Sequence, residues 1–400
     1  MPTSARSGSL PASLCVLSLA FLAACSSVGS GSPASPSGGT TSEASAAASS
    51  TPSGPETAVA AALAGLDRRA QVSQLFVVGV PLADLPSGDA LAGSGVGGIF
   101  LAGRSTAAAS DLAVTTARWQ SLAPGPPLWV AADQEGGAVQ TLTGPGFDRV
   151  PPAPELGRLP GDQLTTVAEG MGASLHGAGL NLDFAPVVDM VPPGTESSNE
   201  PIGRSGRQYG GTGAAVTAAA GRVVDGLAAS DVTATLKHFP GLGRVRGNTD
   251  TSTNVTDDVT AAGDEQLTAF ADVLAQSPAP PFVMVSLATY TRIDPTNQAV
   301  FSPAVLTDLL RGRLGFDGVV VSDDLANARA VSDVPPGDRA VRFLAAGGTL
   351  VLTVQPSLLG EMVDAVLARS DADPDFSVVV DAAVHTALLA KARAGLLPAG

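Results

Sequence analysis

The sequence predicts an α/β protein built on a single (β/α)8 TIM-type barrel, and three observations predict it. Eight short apolar runs, most of them rich in Val, Leu or Phe and without polar alternation, are spread between residues 74 and 354, as parallel strands covered on both faces require. Amphipathic stretches lie between them, and a chain that alternates strand and helix in this way closes a parallel barrel. The chain has 400 residues, 44% of them hydrophobic, enough to fill one large core.

The N-terminus precedes that pattern. Arg6 supplies a positive flank, and the apolar run Leu14–Ala24 is about half the ~20 residues needed to cross a bilayer. It ends in Leu22-Ala23-Ala24-Cys25. Small residues before a cysteine at this place resemble the bacterial lipoprotein signal, which implies cleavage within 1–25 and lipid on Cys25; an ordinary signal peptide with a chance cysteine is the alternative. More than one acyl chain gives firm membrane attachment. The two cysteines are Cys15 and Cys25, so the folded part is expected to hold neither a disulfide nor a cysteine-bound metal. Residues 26–56 are Ser, Gly, Ala, Thr and Pro with almost no large apolar group; they read as a tether, and the barrel domain as 57–400.

The strand runs are Gln74–Val80, Val96–Leu101, Leu128–Ala132, Leu180–Val188, Val232–Phe239, Phe282–Leu287, Gly318–Ser322 and Thr349–Val354. Val216, Ala220, Val223 and Leu227 mark one buried helical stripe between them. A second helix is predicted from Ser302 as N-cap, with Pro303 behind it and Val305, Leu306, Leu309 and Leu310 on its inner face.

Barrel chemistry sits where strands end and the following loops begin, which converts the strand runs into a set of candidate residues. Asp133-Gln134-Glu135 follows the third run, Asp183 and Asp189 lie in and after the fourth, Lys237-His238 ends the fifth, and Asp323-Asp324 ends the seventh. Each alone suits a rim ion pair; several at one face point to a site. Lysine usage sharpens this, because only Lys237 and Lys391 among 22 basic residues are lysines. The formal net charge of -15 argues against a nucleic-acid partner.

Four segments carry a resemblance. They are Asp133-Gln134-Glu135-Gly136-Gly137, Asn181 to Val187 (NLDFAPV), Lys237-His238-Phe239-Pro240-Gly241, and Leu314 to Leu325 (LGFDGVVVSDDL). In this order they resemble glycoside hydrolase family 3, in its NagZ-type N-acetyl-β-glucosaminidase form, from about Asp67 to the C-terminus. The resemblance implies a retaining exo-hydrolase of terminal β-linked N-acetylglucosamine, without metal or organic cofactor. With the lipoprotein signal it implies a monomer held outside the cell membrane, acting on GlcNAc-containing muropeptides in wall turnover or recycling. Asp323 aligns with the family nucleophile, and Asp133, Lys237 and His238 with residues that hold the sugar. Arg207 aligns with the arginine that binds the sugar or its acetamido group, with Arg204 as the nearby alternative.

Two departures stand out. A family arginine eight residues after Asp133 falls on Thr141. The family also places an Asp-Ser-His triplet after the fifth strand, whose histidine protonates the leaving oxygen. Here Asp250 matches the aspartate, but the histidine position falls on Ser252, and Leu242 and Leu287 stand where histidine is common. A hydroxyl holds its proton too tightly to be an efficient general acid. Three readings stay open: Asp250 is the acid/base, an outside acid or a good leaving group is needed, or the domain binds a sugar without cleaving it. A β-glucosidase-like hydrolase is the rival within the family.

Overall fold

The computed structural model describes residues 54–398. Eight parallel strands run through them: β1 (Phe76–Pro81), β2 (Gly98–Ala102), β3 (Trp129–Ala132), β4 (Leu182–Asp183), β5 (Thr235–Phe239), β6 (Phe282–Val285), β7 (Val320–Ser322) and β8 (Val351–Thr353). Each overlaps one of the predicted apolar runs. They pair as two parallel sheets, ordered β8-β1-β2-β3-β4 and β7-β6-β5. Single parallel bridges lie between the sheets: Leu182 with Thr233 and Val187 with Lys237 on one side, Val321 with Leu350 on the other. Almost every strand residue is buried, including Val77, Val78, Ile99, Leu101, Val130, Leu236, Val283 and Val320; strands with covered faces have no use for polar alternation.

The fourth strand is shorter than its apolar run. Pro186 has no N–H to give to a ladder, so the regular pairing stops at Asp183. The segment beyond stays beside β5, where Thr235 N donates to Ala185 O and Val188 N to Lys237 O. This course carries Asp189 up against His238.

Helices cover the strands. In Gly213–Ala228 the residues Val216, Ala220, Val223 and Leu227 are all buried, and the Thr212 hydroxyl caps the helix by accepting from Ala215 N. Ser302 caps the next predicted helix, its Oγ accepting from Val305 N at 3.2 Å. That helix, Ala304–Arg313, is wider than expected and closes through a bond from Leu314 N to Leu309 O. The long C-terminal helix Pro374–Arg393 packs on the first described helix, Gly54–Ala64.

Lys391 lies inside this last layer. It is fully buried, and its Nζ donates to Gln74 Oε1 at 2.7 Å, just ahead of β1. No carboxylate is paired with it among the described residues, and burial pushes its pKa down to about 7 from 10.5. A lowered pKa means that the unfolded chain takes the proton first. Stability is therefore full above about pH 10.5 and is lost as the pH falls to about 7. Lys391→Met removes this slope, so the variant gains on wild type across that window. Denaturant titrations at several pH values check it; parallel curves for the two proteins would contradict it.

Candidate active site

The carboxyl ends of β3, β5 and β7 meet at one mouth of the strand assembly. Asp133 follows β3, Lys237 and His238 lie within β5, and Asp323 follows β7. Arg207 arrives from the loop after β4, just past Gly206, whose φ of 62° sets a left-handed turn. Together with Asp250 these side chains line one cavity of about 120 Å³, whose wall is completed by Phe184, Pro201, Leu242, Asn248, Thr249, Met284 and Leu352. The residues predicted to handle the sugar, Asp133, Arg207, Lys237, His238, Asp250 and Asp323, thus converge. Arg204 does not: it is exposed and paired with Glu200 at 2.9 Å. Cys25 lies outside the described residues.

A buried ion cluster forms the floor. Lys237 Nζ lies 2.6 Å from both Asp133 Oδ1 and Glu135 Oε1. Glu135 also accepts both arms of the Arg207 guanidinium, from Nε at 2.8 Å and Nη2 at 2.6 Å. This is the bidentate geometry in which a planar guanidinium fits a carboxylate best. Burial works against the charge on Glu135, but Arg207 and Lys237 outweigh it and hold the carboxyl down at about 2. Lys237 likewise stays charged: burial opposes the ammonium, and Asp133 and Glu135 together overcome that. Arg207 Nη1 gives a further bond to Pro201 O at 2.9 Å.

Beside this floor stands a second pair. Asp189, fully buried, accepts from His238 Nδ1 at 2.7 Å, from His238 N at 3.1 Å and from Leu242 N at 2.7 Å. The imidazole orientation is thereby set, and its Nε2 is left 3.5 Å from Arg207 Nη2. His238 is thereby held in one orientation at the cavity wall.

Asp323 lines the same cavity, opposite in charge to its Lys237 and Arg207 wall. Burial pushes its carboxyl up to about 6, with Asp250 and Asp324 adding to the rise and His238 opposing it. Asp324 serves the backbone instead. Its carboxylate accepts from the N–H groups of Ala326, Asn327 and Val354, which shapes the turn that presents Asp323.

Asp250 comes from the loop after β5. Arg329 N donates to Asp250 O and Ala330 N to Thr249 O, and Asn199 Nδ2 donates to Leu242 O and Val245 O. Gly243 lets the loop lie on the β4 side, because a Cβ there would fall inside the Met190 carbonyl. Ser252, at the place of the family histidine, lines a separate surface pocket with Arg244 and Arg246. His176 ends the helix Gly161–Gly177, and His385 pairs with Glu56 on the first helix. Among the described residues His238 is thus the histidine of this cavity, and Asp133, Asp250 and Asp323 are its carboxylates.

Residues 69–376 match the Glycosyl hydrolase family 3 N terminal domain. The chain belongs to glycosyl hydrolase family 3. A Beta-hexosaminidase of Stenotrophomonas maltophilia (strain R551-3) is 33% identical over 310 residues, which cover 74% of this chain and 88% of that protein. Among solved structures, the Beta-N-acetylhexosaminidase of Beutenbergia cavernae DSM 12333 is 44% identical and superposes with a TM-score of 0.79, covering 82% of this chain and 98% of that one. M tuberculosis LpqI is 30% identical with a TM-score of 0.71, over 82% of this chain and 95% of that one.

Two residues that bond to the lining of this family-3 cavity from behind it have no role assigned by sequence, Glu135 and Asp189. Both were visible as acidic residues after strands, and the signal that assigns them is physical. A lysine and an arginine drawn into an apolar wall need a shared carboxylate, and an oriented imidazole needs an acceptor on its far nitrogen. Glu135→Gln leaves Arg207 and Lys237 with one carboxylate between them. Breaking a buried pair from one side costs about 3 to 5 kcal/mol, so the variant unfolds at markedly lower denaturant than wild type. A loss within experimental error would contradict the assignment of Glu135 as the hub.

Proposed function

We propose that this protein is a retaining exo-glycosidase that releases terminal β-linked N-acetylglucosamine, with Asp323 as nucleophile and Asp250 as acid/base. One observation carries the reading: Asp323 and Asp250 face a single cavity whose remaining polar wall is Asp133, Lys237, His238 and Arg207. Retaining hydrolysis needs two carboxyl groups, one to attack the anomeric carbon and one to protonate the departing oxygen and later deprotonate water. Charge-assisted bonds from Lys237, Asp133 and Arg207 to sugar hydroxyls and the acetamido group would fix the ring. The names of the relatives, Beta-hexosaminidase and Beta-N-acetylhexosaminidase, support the N-acetyl sugar over an unsubstituted glucoside.

The wider reading follows the N-terminus. Lipid on Cys25, residues 26–56 as tether and GlcNAc-containing muropeptides as substrate would place a monomeric enzyme at the outer face of the cell membrane, in peptidoglycan turnover. No described helix is long and apolar enough to cross a membrane. The strands are read as a closed eight-membered ring, an inference supported by the bridges Leu182–Thr233, Val187–Lys237 and Val321–Leu350.

The test compares 4-nitrophenyl N-acetyl-β-glucosaminide with the corresponding glucoside. Asp323→Asn abolishes turnover of the N-acetyl substrate. Asp250→Asn leaves kcat/KM for this activated substrate largely intact, because its leaving group needs no proton, but lowers kcat/KM for a natural disaccharide by about a hundred- to ten-thousand-fold. No turnover by wild type on either substrate would favour a sugar-binding protein. The pH profile gives a second check. Asp323 must be ionised to attack, so kcat/KM rises as the pH passes about 6. The Asp250 charge helps to raise that midpoint, so Asp250→Asn moves the acid limb to lower pH; an unmoved limb would count against that influence.

A further inference from the structure

Asp183 lies under the ion cluster and has no part in the chemistry above. It is fully buried, and Oδ1 accepts one bond, from Gln134 N at 3.0 Å, while Oδ2 has no partner among the described residues. Lys237, the cation that acts on it, is already shared between Asp133 and Glu135. The groups facing Asp183 are Gln134 N–H, Asp133 and Glu135 from the end of β3, Lys237 from β5, and the Tyr209 phenol. Arg207 and Lys237 balance Asp133 and Glu135, so an ionised Asp183 would leave an unmatched negative charge with a single hydrogen bond. Buried carboxyls in that situation keep their proton.

We propose that Asp183 is a positioning residue that carries a proton in the working enzyme, and that its uncharged carboxyl keeps Lys237 between Asp133 and Glu135. When Asp183 loses that proton the new charge competes for the Lys237 ammonium, and Asp133 is no longer held in place for a sugar hydroxyl. Substrate binding then weakens at alkaline pH. In agreement, burial raises the Asp183 pKa to about 7; Gln134 N–H and Lys237 oppose the rise, and Asp133 and Glu135 add to it. The kinetic half of this inference rests on the glycosidase reading; the protonation does not.

The experiment reads both halves on the whole domain. Infrared difference spectra of wild type minus Asp183→Asn are recorded well below and well above pH 7. They are expected to show a protonated-carboxyl band below that pH only. The Asp323→Asn protein, which lacks one of the other aspartates of raised pKa but keeps Asp183, is titrated in parallel, alone and with Asp324→Asn added, and must retain a buried carboxyl with a midpoint near 7; this arm holds even where Asp183→Asn fails to fold. In steady-state kinetics the wild-type KM rises above that pH, and Asp183→Asn removes the rise. A difference spectrum without the band, an Asp323→Asn protein without the titration, or a KM rise that survives Asp183→Asn would each overturn the proposal. Absence of turnover in wild type would sink the glycosidase reading and leave the spectroscopic result to stand alone.

Discussion

One carboxylate organises the mouth of this protein. Glu135 accepts a bidentate guanidinium from Arg207 and an ammonium from Lys237, and so ties the end of β3 to β5 and to the loop after β4. Neither cation is tolerable in an apolar wall without it, and the cluster is stable as a unit because each member satisfies another. Its geometric effect is that Asp133, the other ligand of Lys237, is presented at the cavity surface, about a third exposed where Lys237 is nearly sealed. A rigid charged platform beneath a small cavity is what orienting a polyhydroxylated ring requires.

Electrostatics then give the carboxyl groups different roles. Glu135 is held near 2 by two cations, Asp323 rises to about 6 because burial outweighs the opposing His238, and Asp183, deeper and poorly bonded, rises to about 7. The first is permanently charged and structural, the second is poised to be charged near neutrality, and the third is neutral through the acid range. Environment alone produces this division. His238 is held by Asp189 and turned toward Arg207; Ser252 faces a different pocket, and Asp250 lines the same cavity as Asp323.

Much of this was legible in the sequence. Eight Val-, Leu- and Phe-rich runs located the eight strands because strands buried on both faces record their burial directly, and the rule that strand ends carry chemistry then brought Asp133, Lys237, His238 and Asp323 to one face. What stayed hidden depends on distances between segments far apart in the chain. Glu135 and Arg207 are 72 residues apart, and no local pattern announces their pairing. Asp189 was among the strand-end candidates, but its pairing with His238 depends on the segment after β4 running on beside β5. Lys391 stood out in composition as one of two lysines, yet its burial against Gln74 is a property of helix packing across 317 residues. The choice between Arg204 and Arg207 was likewise spatial, since only the second follows the turn at Gly206 into the cavity.

The proposed chemistry turns on Asp323 forming the bond to the sugar within this cavity. Covalent trapping tests that step directly: incubation with a fluorinated N-acetylglucosaminyl donor that loads quickly and hydrolyses slowly, followed by peptide mapping by mass spectrometry. One added N-acetylhexosaminyl group per chain is expected, esterified to Asp323 and absent from Asp323→Asn. A stable adduct on Asp250 or elsewhere, or turnover of the donor by Asp323→Asn, would contradict it.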